Sequence, residues 1–95
     1  MKKIHQYMRP LFTKYLALPS DAVHELPRIT MIGQIHAYIE NHKGISVFTD
    51  TELRLRTING YIQLTGNSFV LKLMLPEEVL LEGKISDVKF IPEKE

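Results

Sequence analysis

The sequence predicts a mainly β domain behind an amphipathic N-terminal helix, with the strands forming a small antiparallel β-meander closed as a barrel, roll or sandwich. Three observations carry this expectation. The hydrophobic period shortens from about 3.6 residues near the N-terminus to 2 from Arg28 onward. Turn chemistry recurs every seven to ten residues, at Asn41-His42-Lys43-Gly44, Asn59-Gly60 and Gly66-Asn67 among others. At 95 residues and 11.0 kDa the chain can build one modest core and not two. The expected organisation is a basic helical segment over residues 1–26, a β domain over 27–92 and a frayed polar end over 93–95.

The N-terminal segment places Ile4, Tyr7, Met8, Leu11, Phe12, Tyr15 and Leu16 on one helical stripe, with Lys2, Lys3, His5, Arg9 and Lys14 off it. Pro10 interrupts the pattern, so the helix is either kinked there or starts there. Leu18-Pro19 closes it, and Ser20 or Asp21 can cap one further turn that Pro27 ends. Three roles fit a basic amphipathic helix: covering the open face of a sheet, lying on an anionic membrane surface, or docking onto a partner protein. The residues for membrane or partner contact are Lys2, Lys3, Tyr7, Arg9, Phe12 and Lys14.

In the β domain, Ile29, Met31, Ala37 and Ile39 alternate with Arg28, Thr30, Tyr38 and Glu40, as one long strand or two strands bent at Gly33. Ile45–Phe48 follows, then a turn over Thr49-Asp50-Thr51-Glu52, then a strand in which Leu53 and Leu55 alternate with Arg54 and Arg56. Asn59-Gly60 is a type I′ hairpin signal, which requires positive φ at both positions. Tyr61–Thr65, Ser68–Met74, Val79–Glu82 and Lys84–Ile91 complete about seven strands, with Phe69, Leu71 and Leu73 expected on one side. Leu64-Thr65-Gly66 is echoed 17 residues later by Leu81-Glu82-Gly83, so a short β-solenoid is the second architecture.

Composition removes several functions. With no cysteine there is no disulfide scaffold, thiolate nucleophile or cysteine-based zinc site. No apolar run is long enough to span a bilayer, and polar residues interrupt the segment after Lys3, so a cytosolic chain without a cleaved signal peptide is expected. The net charge of +1 conceals an asymmetry: residues 1–20 carry four bases and no acid, whereas residues 21–95 carry eight bases and eleven acids.

No constellation points to catalysis, a metal or a cofactor. His5, His24, His36 and His42 lack metal-ligand spacing, and Ser20, Asp21 and His24 read as a capped helical turn rather than a triad. Asp50/Glu52 and Glu77/Glu78 fall in expected turns, where solvated charge is the norm. A site assembled between copies, with His36 and His42 meeting a neighbour's acids, is the enzymatic rival. A small-barrel nucleic-acid binder is the alternative: Arg54, Arg56 and Lys72 would line one outer face, with Tyr38 or Tyr61 stacking on bases. The bland reading is that both arginines solubilise a strand and pair with Glu40 or Glu82.

The run Leu26-Pro27-Arg28-Ile29-Thr30-Met31-Ile32-Gly33, with Ile39-Glu40-Asn41-His42-Lys43-Gly44, Thr51-Glu52-Leu53-Arg54-Leu55 and the stretch from Leu75-Pro76-Glu77-Glu78 to Lys84-Ile85, resembles the YabP/YqfC family of sporulation proteins, nearest its YqfC branch. The resemblance covers about residues 16–91. It implies a non-enzymatic protein of the mother cell, an adaptor or assembly factor in spore morphogenesis. The YqfC branch is typically encoded beside the membrane-embedded sporulation protein YqfD, an expected partner. The charge split leads to the expectation that the basic N-terminal helix anchors the chain to a membrane protein or peripherally to the outer forespore membrane. Exposed strand edges would accept a partner's strand or build a homo-oligomer. The family supplies no catalytic motif, so no site residue follows from it.

Overall fold

From Arg28 onward the alternating pattern becomes six strands: β1 (Arg28–Ile32), β2 (His36–Glu40), β3 (Gly44–Phe48), β4 (Glu52–Thr57), β5 (Gly60–Leu75) and β6 (Glu78–Pro92). The structure, a computed structural model, describes residues 26–93. The expected N-terminal helix lies outside the described residues. All pairings are antiparallel within one sheet of order β1-β2-β6-β5-β4-β3.

That order corrects the expectation in three respects. β1 and β3 end the sheet without meeting, so it does not close as a barrel. It is also not a simple meander, because the chain leaves β2 and re-enters at the far edge as β3. The solenoid fails because its coils stack in parallel, whereas every neighbour here is antiparallel.

The expected breaks at Gly66-Asn67 and after Glu82 are not strand ends, whereas the stretch around Gly33 divides into β1 and β2, so about seven expected strands become six. β5 and β6 instead form a hairpin of 16 and 15 residues whose register shifts at Thr65/Gly66, Asn67/Val70 and Leu71/Leu73. Bulges bend a strand and increase its twist, and these bend the hairpin into two parts. Gly60–Thr65 pairs with β4, whereas Glu78–Glu82 of β6 pairs with β2. One half-sheet therefore holds β1, β2 and the Glu78–Glu82 and Val70–Leu75 stretches of the hairpin. The other holds β3, β4 and the remainder.

The sheet folds over at this bend so that one apolar core lies between its halves. Ala37, Ile39, Val79 and Leu81 come from the first half, and Leu53, Leu55, Ile62 and Leu64 from the second. Phe69 and Ile85, next to the bend, complete the cluster. The extra residue at Lys72 shifts the alternation, so Leu71 opposes core residue Leu81 while Leu73 opposes Leu80 on the outer face. Leu73 therefore leaves the side on which periodicity placed it.

Glycine permits the bend. A Cβ on Gly66 would collide with the Lys84 carbonyl oxygen and lie 3.0 Å from Phe69, and one on Gly83 would lie 2.7 Å from Phe69 Cδ1. The 17-residue echo thus marks two close approaches facing each other across one hairpin, not a repeat. The short hairpins are tied to the same bend. Gly83 and Ile85 amides donate to the Ile35 and Gln34 carbonyls of the β1–β2 turn, and Gly66 and Phe69 amides to Thr51 and Asp50 of the β3–β4 turn.

The hairpin expected at Asn59-Gly60 forms, but its two loop residues are Ile58 and Asn59, because Thr57 pairs with Gly60. Asn59 is not among the positive-φ residues, so the turn is not type I′. Gly60 serves another purpose: a Cβ there would strike the Ile91 carbonyl oxygen on β6. Beyond Pro92, which still belongs to β6, the Glu93 amide donates to the Asn59 carbonyl.

Gly66→Ala is expected to destabilise the domain by about 2–3 kcal/mol, since backbone rather than a flexible side chain must move. Urea denaturation measures this, with a control alanine at Gly33, where an added Cβ meets nothing within 4 Å and only backbone strain of about 1 kcal/mol is at stake.

Candidate functional site

The segment joining the two half-sheets, Asn41-His42-Lys43, forms a corner where separate parts of the chain converge. Asn41 takes φ +67°, a left-handed conformation that asparagine tolerates better than most residues. The Asn41 and His42 amides both donate to the Glu77 carbonyl, at 2.8 and 3.2 Å. The Lys43 amide donates to the Arg56 carbonyl at 2.7 Å, and Asn41 Nδ2 to the Leu26 carbonyl at 2.9 Å. Three of the sequence runs quoted above, around Leu26, Asn41 and Glu77, thus meet at one place.

A row of ionisable side chains crosses the first half-sheet beside this corner. Arg28, Glu40 and Glu78 are direct cross-strand neighbours. Glu40 is fully buried and accepts from Arg28 Nε at 2.9 Å. Glu78, 8% exposed, accepts from the Tyr38 hydroxyl at 2.6 Å. Burying two carboxylates on adjacent strands is costly unless each is paired and hydrogen-bonded, and each has a charged or strong donor. Glu78 was expected to be solvated in a turn; it is the first residue of β6 and buried.

Periodicity overlooked this cluster because it scored Arg28, Tyr38 and Glu40 as outward. A signal was available: a hairpin centred on Gln34 places residue 28 opposite residue 40. The alternation was right and the inference that its polar face is wet was not.

His42 is the buried histidine of the corner, at 2% exposure. Its Nδ1 accepts from the Gly44 amide at 2.9 Å, which assigns the neutral ring's proton to Nε2. Nε2 is buried with no partner at hydrogen-bonding geometry. Burial pushes the His42 pKa below 6.5, against the opposing influence of the Leu75 carbonyl and the Glu77 charge. His36 is different: at the far end of β2, it lies 3.8 Å from Glu82 and is partly exposed. The two histidines lie at opposite ends of β2, and among the described residues no group of three or more His, Cys, Asp or Glu could hold a metal.

The residues of the nucleic-acid alternative are not brought together. Arg54 and Arg56 lie on the outer face of β4, with Gln63 and Tyr61 directly opposite. Lys72 lies in the first half-sheet, 3.2 Å from Glu82. Arg54 is 3.4 Å from Glu52 on its own strand, rather than paired with Glu40 or Glu82. Lys2, Lys3, Tyr7, Arg9, Phe12, Lys14, His5 and His24 lie outside the described residues.

Exposed apolar side chains mark both ends of the first half-sheet, Ile32, Ile35 and Val70 towards the hairpin bend and Met74 and Leu75 beside the corner. Ile32, Ile35, Val70, Met74 and Leu75 are all exposed, Val70 at 50% and Met74 at 64%. Two open clefts of about 400 and 450 Å³ flank Ile35, where the β1–β2 turn meets the hairpin bend. Among the described residues no strand pairs with the free edge of Val70–Leu75, and Lys72 is its one charge. No described helix is long and apolar enough to cross a membrane.

Because His42 is held neutral, the folded state binds its proton less readily than the unfolded chain does. The His42 contribution is fully present above about pH 6.5 and is lost as pH falls from there through the lower folded-state pKa. Denaturation midpoints between pH 7.5 and 5 are expected to fall for the wild type. His42→Asn, which keeps an acceptor near the Gly44 amide, should flatten that loss.

The comparisons with known proteins agree with one another. No solved structure matches the chain. An uncharacterized protein of Bacillus subtilis (strain 168), YqfC, is 45% identical over 84 residues, which cover 88% of this chain and 90% of that protein. That alignment is longer than residues 24–95, so it extends into the segment before His24. The model of the YabP family matches residues 24–95, and with it the corner, both half-sheets and the bent hairpin. The chain belongs to the YabP family.

Proposed function

We propose that this protein acts in endospore formation as a small non-enzymatic adaptor or assembly factor in the mother cell, joined to a membrane-embedded sporulation partner. The observation that carries the binding part is the free edge of Val70–Leu75, with exposed Val70 and Met74 and little charge to repel a strand. Natural edge strands are usually blunted by charge, proline or cover. The edge of β6 beyond the bend follows that rule, with Lys84, Asp87, Lys89 and Pro92 along it. The Val70–Leu75 edge suits strand addition by a partner, in which main-chain bonds give affinity and side-chain contacts give specificity. Family membership supports the sporulation setting, and the four bases before Pro19 support contact with an anionic membrane surface.

The nucleic-acid reading draws on Arg56 standing opposite Tyr61. Glu52 and Asp87 share this outer face with Arg54, Arg56 and Lys89 and offset most of its charge, so it offers phosphates only a weakly basic surface.

Val70→Lys/Met74→Lys in an endospore-forming host lacking its own copy should leave the fold intact and lower spore yield at least ten-fold. Wild-type spore yield with the doubly charged edge would remove the strand-addition reading. Lys2, Lys3, Arg9 and Lys14 replaced together by Gln should disperse a fluorescent fusion from the forespore boundary. Unchanged localisation would count against the membrane contact.

A further inference from the structure

The first half-sheet buries side chains on both faces. Opposite the core, Tyr38 and Leu80 are each 1% exposed and Glu40 is fully buried. Neither Tyr38 nor Leu80 belongs to the core cluster, and every described strand lies in the one folded sheet, whose second half covers the other face. Something beyond the described residues must shield this outer face from water.

We propose that residues 4–16 of the same chain cover it as an amphipathic helix, with the stripe through Tyr7, Leu11 and Tyr15 against Tyr38, Leu80 and Leu73. Connectivity comes first. The described chain starts at Leu26, whose carbonyl is bound by Asn41 Nδ2 beside the Arg28–Glu40 pair, at the margin of this face. Residues 17–25 are enough to return the stripe over the sheet, since nine extended residues reach about 30 Å.

Size also matches. Four strands at about 4.8 Å spacing are roughly 14 Å wide between the outer axes, and a 13-residue helix is about 20 Å long. Charge is complementary too. The face carries Glu40, Glu78 and Glu82 against Arg28 and Lys72, while residues 1–20 carry four bases and no acid. In this arrangement the apolar stripe is used inside the molecule, and the off-stripe bases lie around the rim of the face. The proposal stands independently of any role in sporulation.

The chain has no cysteine, so engineered pairs report without background. In the full chain, Phe12→Cys/Leu75→Cys is expected to crosslink within one molecule with a short bismaleimide at least ten times faster than Phe12→Cys/Gln63→Cys. Gln63 lies on the outer face of the other half-sheet. Equal rates would overturn the proposal. Crosslinks found only between two molecules would also overturn it, by assigning the face to a second copy. As a second measurement, Leu11→Asp should raise amide exchange at Tyr38 and Leu80 at least ten-fold while leaving Leu53 and Leu55 unchanged. Unaltered exchange at Tyr38 and Leu80 would overturn the proposal as well.

Discussion

The bend in the β5–β6 hairpin is the constraint on which the rest of the domain depends. Two strands of 16 and 15 residues pass through both halves of the sheet. Kept straight, they would expose Ile62 and Leu64 on one half, and Leu71 and Leu81 on the other, to water. Folding over at Gly66 and Gly83 brings these faces together and removes both from solvent. The gain is of the order of 1.5–3 kcal/mol for each large apolar side chain fully buried. Side chains larger than hydrogen at the pivots would force the backbones apart, because the neighbours there include carbonyl groups as well as the Phe69 ring.

The corner at Asn41-His42-Lys43 is the counterpart of that bend. It carries the chain from one half-sheet to the other and is held by backbone bonds to Glu77 and Arg56. The carboxylates of Glu40 and Glu78 beside it impose a register on β1, β2 and β6, since a slip of one residue would strand a buried charge without its donor. An apolar row could bind as tightly but would tolerate such slips more readily. The bend makes a core available, and the corner determines which residues face it.

The surface divides along the same lines. The outer face of the second half-sheet alternates charges of both signs, with Arg54, Glu52 and Lys89 among them. The first half-sheet carries buried side chains on its outer face and exposed apolar ones along its free edge. The proposed docking edge thus lies on the first half-sheet, while Phe48, Ile58 and Phe90 are exposed singly on the second. The two histidines stand at opposite ends of β2 in different environments, His36 partly exposed beside Glu82 and His42 buried in the corner.

The sequence by itself determined that this is an antiparallel β domain, that the chain turns after Phe48, near Asn59 and at Pro76-Glu77, and which residues of β2 and β4 form the core. These features are local: alternation, glycine and asparagine act within a few residues, so a single sequence carries them. It also carried the resemblance by which the family could be expected. The tertiary structure decided what depends on contacts distant in the chain. Gly66-Asn67 looks like a turn until Lys84 is seen against it, and Leu73 belongs to the core side until the bulge at Lys72 turns it outward. Glu40 and Glu78 look solvated until they are found on neighbouring strands, 38 residues apart, each with its donor. Polarity alone cannot distinguish a wet face from one paired and covered, because the difference lies in what the rest of the chain brings against it.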